Sequence, residues 1–311
     1  MIKQSVILFS VALAFAACSQ DESQDPNIIQ LSAAISGGDG VKAGTRAHSE
    51  TAADYQNTQF LSGAAIHVEA YKTGGAKYTE GNYSTTDGNG TLSGTLYYPA
   101  DGSNIDICAY YPSSINSGST AFDVNTNQTS IDNYRSSDLM YVKKGEATNK
   151  AKNTTHNLTF YHAMSQIIVN IEPKPNSGVT AEDITTNVSA VTIKNTVKTA
   201  SLTITNGDIA ATNSGETKTP IEILGNKATN IGLIVPQTVG AGEFIAITYA
   251  GNTYTYSLAE AKTFAEGTKY TYTFTMGAAG IELKSVEITN WSADPNRDQE
   301  TGNSGSENFT I

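Results

Sequence analysis

The stretch richest in potentially reactive groups is "LTFYHAMSQIIVNI", residues 158–171, in which His162 precedes Ser165. A serine hydrolase needs a nucleophile, a base to take its proton, a group that orients the base and donors for the oxyanion. Ser165 has no G-x-S-x-G elbow around it. The odd separation from His162 also sends the two side chains to opposite faces of a regular strand. A β-bulge at "HAMSQ" is the local device that would turn them together. The remaining histidines are His48, His67 and His156. His156, Leu158, Phe160 and His162 share one strand face, but no cysteine or repeated carboxylate beside them completes a metal-ligand spacing. The residues therefore imply no catalytic group, no metal ligand and no cofactor site, with the histidines held for structural reasons.

Other candidate chemistry is equally sparse. The acidic residues are dispersed, and no pair suited to glycoside hydrolysis stands out. "DGNG" at 87–90 and "ADGS" at 100–103 read as turns rather than calcium loops, because neither carries EF-hand spacing, and Asp101 is assigned to its turn. The pairs Tyr97–Tyr98 and Tyr110–Tyr111 would suit a glycan-binding surface, but alternation between core and surface accounts for them. Cys108, in "IDICAYYP", reads as a buried, unreactive thiol. The chain has 19 Lys plus Arg against 30 Asp plus Glu, a formal net charge of -11. That balance excludes general nucleic-acid binding, which draws on positive groups meeting phosphates.

The N-terminus supplies a clearer message. Lys3 is followed by an apolar run from Val6 to Ala17, too short to span a bilayer and suited to a secretory signal. Ala16 and Ala17 before Cys18 resemble a bacterial lipoprotein processing site, which makes Cys18 the expected lipidated residue. With Cys18 lipidated, Cys108 has no disulfide partner. "SQDESQD" then reads as an acidic surface tether. "NIIQLSAAI" at 27–35 is a strand candidate, followed by the flexible segment "SGGDGVKAGTRAHSE". Arg46 before Ala47 is accessible there to a trypsin-like, arginine-specific protease.

These groups must be positioned by strands. "AAIHVEAY" puts Ile66, Val68 and Ala70 on one face, and comparable short segments recur to "IELKSVEITNW", divided by turn signals. No segment of helical length keeps an apolar stripe. The fold class is thus all-β, with two tandem antiparallel β-sandwich domains. "EPKPNSGVTAED" at 172–183 breaks strand propensity and marks the junction. The expected organisation is 1–17 signal peptide, 18–46 leader and tether, 47–175 first domain and 176–311 second domain with a donor-strand tail. "LTFYHAMSQIIVNI" becomes the last strand of the first domain, its Ile167, Val169 and Ile171 facing the core.

Several stretches in order resemble the fimbrillin-like (Mfa-like) family, within the type V pilin superfamily of Bacteroidales. They are "FLSGAAIHVEAY" (60–71), "LYYPADGSNIDICAYYP" (96–112), "SDLMYVKK" (137–144), "LTFYHAMSQIIVNI" (158–171), "GLIVPQT" (232–238), "FAEGTKYTYTFTM" (264–276) and "VEITNW" (286–291). The resemblance implies Greek-key, transthyretin-like sandwiches, delivery to the outer membrane as a lipoprotein precursor, and assembly with other fimbrial subunits into adhesive surface fimbriae. It also implies cleavage after Arg46, which would remove the strand at 27–35 and open an apolar groove. An extended segment of another subunit can fill such a groove by pairing its backbone and burying its side chains. Ile281, Leu283, Val286 and Ile288 are donor candidates, as are Phe309 and Ile311 at the end of the tail. The break between Leu283 and Val286 predicts one bulged strand or two short ones. "SGAAIHVEAY" lacks the acidic residue often found after the family's glycine, and the polar tail suits a tip or anchor subunit as well as a stalk. The alternative is a non-polymerising surface lipoprotein that binds glycans or proteins, recognising a host or bacterial surface ligand.

Overall fold

A computed structural model describes residues 27–36, 60, 62–86, 90–149, 155–215, 217–225 and 227–291. Its first half contains β1 (Leu31–Ile35), β2 (Ala65–Lys72), β3 (Lys77–Thr85), β4 (Thr91–Ser93), β5 (Ile105–Tyr111), β6 (Ala121–Asp123), α1 (Ile131–Ser136), β7 (Met140–Asn149) and β8 (His156–His162). Seven of these strands close a barrel in the order β1-β4-β3-β2-β5-β7-β8. Ile66, Val68 and Ala70 fill it from β2, as the two-residue period requires, together with Leu158 and Phe160 from β8.

The second half contains β9 (Ser165–Pro173), α2 (Ala181–Asn187), β10 (Val188–Ile193), β11 (Thr199–Thr205), β12 (Asp208–Asn213), β13 (Ile221–Glu222), β14 (Leu224–Gly225) and β15 (Thr229–Ile234). It continues with β16 (Gln237–Val239), β17 (Gly242–Tyr249), β18 (Asn252–Leu258), β19 (Lys262–Phe264), β20 (Thr268–Gly277) and β21 (Gly280–Asn290). The sheets β13-β10-β17-β18 and β14-β15-β9-β20-β21 share one apolar core, with Val191, Ile245 and Ile247 from the first and Ile167, Val169, Tyr272 and Phe274 from the second.

The fold is predominantly β, but two features depart from a pair of antiparallel sandwiches. The first half is a closed barrel, and two strand pairs, β1 with β8 and β9 with β20, are parallel. A second correction concerns 158–171. That stretch is two strands that belong to different sheets: β8 closes the barrel, while β9 pairs with β15 and β20. The chain changes sheet at Ala163 and Met164, between β8 and β9. Ala163 N donates to Leu139 O, and Met164 O accepts from Gly267 N, so each side of the kink is tied to its own half. The proline-rich segment instead leads into α2, capped by Thr180 and Asp183 in a reciprocal capping box.

The two halves meet across the outer face of the barrel. β5 is buried on both sides: Ile105, Ile107 and Ala109 point into the barrel, whereas Cys108 and Tyr110 join the core of the second half. This double burial explains why "IDICAYYP" carries so continuous an apolar run. β6 extends the contact by pairing with β11. Gln128 then reaches β15, donating from Nε2 to Leu233 O and accepting from Leu233 N at Oε1, both at 2.8 Å. A buried side-chain amide here completes a strand edge as another backbone would.

Candidate functional site: the slot filled by the first strand

The sequence-selected polar groups do not assemble into a catalytic centre. His162 Nδ1 lies 2.8 Å from Asp138 Oδ1, with both side chains wholly buried. The imidazole stacks on Trp291 with ring centroids 3.6 Å apart. Burial pushes the Asp138 carboxyl up from its ordinary value, while His162 opposes that rise. Ser165 Oγ donates to Ala265 O at 2.7 Å, so serine and histidine serve separate structural contacts. His156 Nε2 lies 3.3 Å from Tyr98 Oη at the other end of β8. Asp101 is held by Lys72 and by Ser103, as its turn assignment expects. Burial pushes the Cys108 thiol up to about 12, which keeps it protonated and unreactive. Of the paired tyrosines, Tyr98, Tyr110 and Tyr111 are buried, and Tyr97 is exposed.

The feature with functional geometry is the seat of β1. The "LSAAI" alternation turns Leu31, Ala33 and Ile35 into the barrel beside Ile29, all with 5% exposure or less. β1 runs parallel to β8, with Leu31 opposite His156 and Ile35 opposite Phe160. Its other edge pairs antiparallel with β4, Leu31 facing Leu92. Further bonds run from Ile29 N to Leu96 O, from Ala33 N to Gly90 O, and from Ser36 N to Phe160 O, each at 2.8 Å. Tyr83 Oη donates to Ile29 O from the barrel wall. Without β1, the facing edges of β4 and β8 would lose these partners, and the apolar side chains beneath would meet water.

Gly90 shows how closely the first strand is held. A Cβ built there would stand 2.2 Å from Ala33 O, and the residue has φ +86°. Only glycine combines that conformation with so near a backbone. The strand is legible from its alternation, whereas this contact is not, because the partners are distant in sequence.

At the other end, Ile281, Leu283, Val286 and Ile288 all fall in β21, an edge strand paired to β20. The break between Leu283 and Val286 is a bulge in one strand, one of the two arrangements expected. Val286 is buried, and the other three pack partly buried against the core of the second half. Cys18, Arg46, Ala47, Phe309 and Ile311 lie outside the described residues.

The same arrangement of chain is matched in known proteins. Residues 45–291 match the family described as fimbrillin-like. The chain belongs to the fimbrillin-like family. A relative of this fimbrillin-like chain, a candidate fimbrium subunit Fim1C of Bacteroides uniformis, is 29% identical and is aligned over 97% of this chain and 99% of its own length. Crystal structures of two candidate cell adhesion proteins share the fold. The one from Bacteroides uniformis has a TM-score of 0.63 at 23% identity and covers 86% of this chain and 100% of its own. The one from Bacteroides ovatus has a TM-score of 0.59 at 17% identity, covering 85% and 97%.

Proposed function

We propose that this chain is a non-catalytic structural subunit of a surface fimbria that supports adhesion, exported as a lipoprotein precursor through Cys18 and delivered to the outer membrane. In this reading an arginine-specific protease cuts between Arg46 and Ala47, β1 leaves, and an extended segment of another fimbrial subunit takes its seat. The single observation that carries it is that β1 fills an apolar slot between β4 and β8 while Arg46 lies in the segment that follows it. A strand so placed can be replaced by any segment with the same alternation and a free backbone.

The donor is proposed to come from the tail that holds Phe309 and Ile311 rather than from β21. The pairing of β21 with β20 runs from Thr268–Asn290 to Gly277–Gly280, so donating Ile281, Leu283, Val286 and Ile288 would dismantle its own sheet. In this reading the barrel is the half that receives the strand, and the second half, whose two larger sheets share one core, is the sandwich-type body.

Limited digestion of the purified chain with a trypsin-like protease tests the reading. The expected product begins at Ala47 and forms intersubunit polymers visible by electron microscopy, whereas Arg46→Ala stays monomeric. Polymerisation of Arg46→Ala to the same extent would refute the cleavage step.

A further inference from the structure

On the barrel's outer wall, away from the β1 slot, a second arrangement has the properties of a ligand site. Glu69 on β2 and Glu80 on β3 are directly opposite in the antiparallel register, and His67 is the next outward residue along β2. Two carboxylates facing each other across a strand pair repel unless a cation joins them. Glu69 is completely buried, its carboxylate accepting from Tyr71 Oη at 2.6 Å and from Ser117 N at 2.9 Å. These bonds orient it, and the nearest fixed positive charge is Lys77 Nζ at 3.6 Å.

His67 supplies the second, independent observation. Its Nδ1 is 3.0 Å from Asn82 Oδ1, which can only accept, so Nδ1 carries the proton. In the neutral ring Nε2 then bears a lone pair. This atom is buried and makes no hydrogen bond among the described residues. It is aimed between Glu69 Oε1 at 3.6 Å and Glu80 Oε2 at 3.4 Å, and the side chain keeps only 12% exposure. A proton on Nε2 would face both carboxylates at ion-pair distance, and a cation that displaces it takes the same position between them. Ligand atoms about 2.0–2.2 Å from a tetrahedral zinc ion stand roughly 3.3–3.6 Å from one another. All three ligand atoms lie within 4.8 Å of one another.

We propose that His67, Glu69 and Glu80 form a binding site for a divalent transition-metal ion of the zinc type. One imidazole with two carboxylates suits such an ion, whereas calcium takes six to eight oxygens. Asn82 fixes the tautomer of His67, and Tyr71 and Ser117 hold Glu69, which is the outer support metal ligands require. Lys77 Nζ, 2.7 Å from Glu80 Oε2 and 3.6 Å from Glu69 Oε1, now bridges the carboxylates. Its side chain is 37% exposed, so it can swing into solvent as the ion enters. The bound ion would staple the β2–β3 hairpin to the loop bearing Ser117.

Calorimetric titration of the chelator-treated full chain with zinc chloride near neutral pH tests the site. The account expects saturable binding of one ion at these ligands and a raised melting temperature. His67→Asn and Glu80→Gln should each weaken binding at least ~10-fold, whereas Lys77→Met should strengthen it. Glu80 is 46% exposed, so Glu80→Gln remains informative even if the His67 variant folds poorly. Absence of saturable binding, or equal affinity in the Glu80→Gln chain, would overturn the proposal and leave an ion-pair network with Lys77.

Discussion

The first and last described strands stand in opposite relations to their sheets. β1 is held between two strands far along the chain, one in each direction around the barrel, and among the described residues its strand partners are these two alone. β21 follows β20 through Ala278 and Ala279, so a tight hairpin returns it to its place after any local opening. A strand recruited from a distance leaves a complete slot when it departs, whereas a hairpin strand leaves a ragged edge. Under the proposed strand exchange, this difference makes β1 the element to be replaced and β21 part of the body that persists.

The comparison can be broken most forcefully by deleting residues 1–46. Ile29, Leu31 and Ile35 would leave the barrel, at about 1.5–3 kcal/mol for each buried aliphatic side chain, or roughly 5–9 kcal/mol together. The monomer should melt at least ~10 °C lower by circular dichroism, and a peptide spanning 27–36 should restore much of the loss. An unchanged melting temperature would show that β1 does not close the barrel. Leu31→Ala, next in size, should cost about 2–5 kcal/mol in urea denaturation, because Leu31 has 2% exposure and no solvent to fill its place. Gly90→Ala should cost about 2 kcal/mol through left-handed strain and the clash with Ala33 O. Faster hydrogen exchange confined to β1 and its neighbours would check its location. The smallest effect belongs to Leu283→Ala on half-buried β21, about 1 kcal/mol. A larger loss there than at Leu31 would reverse the contrast.

What the sequence revealed follows the range of the forces involved. Alternation is local, so β1, the inward face of β2 and the interrupted pattern of β21 were all legible from spacing. Barrel closure was not, because it depends on β1 meeting β4 and β8, and pairing across such distances leaves no periodic mark. The division of 158–171 was hidden for a related reason. Phe160 and Ile167 are equally apolar and equally buried, yet each fills a different core. The capping box of α2 was written in "TAED" but lay in a segment read as a linker. Likewise, His67 was legible as an outward strand residue, but its neighbourhood required the register that sets Glu69 against Glu80. Of the proposed assembly site, the strand and the Arg46 candidate could be read directly, while the depth of the strand's seat and the part played by Gly90 needed the third dimension.

The most direct test is the N-terminal residue of the subunit in filaments sheared from the cell surface. The strand-exchange account predicts chains that begin at Ala47 and lack β1. Filaments built from chains that begin at lipidated Cys18 and retain Leu31–Ile35 would contradict it.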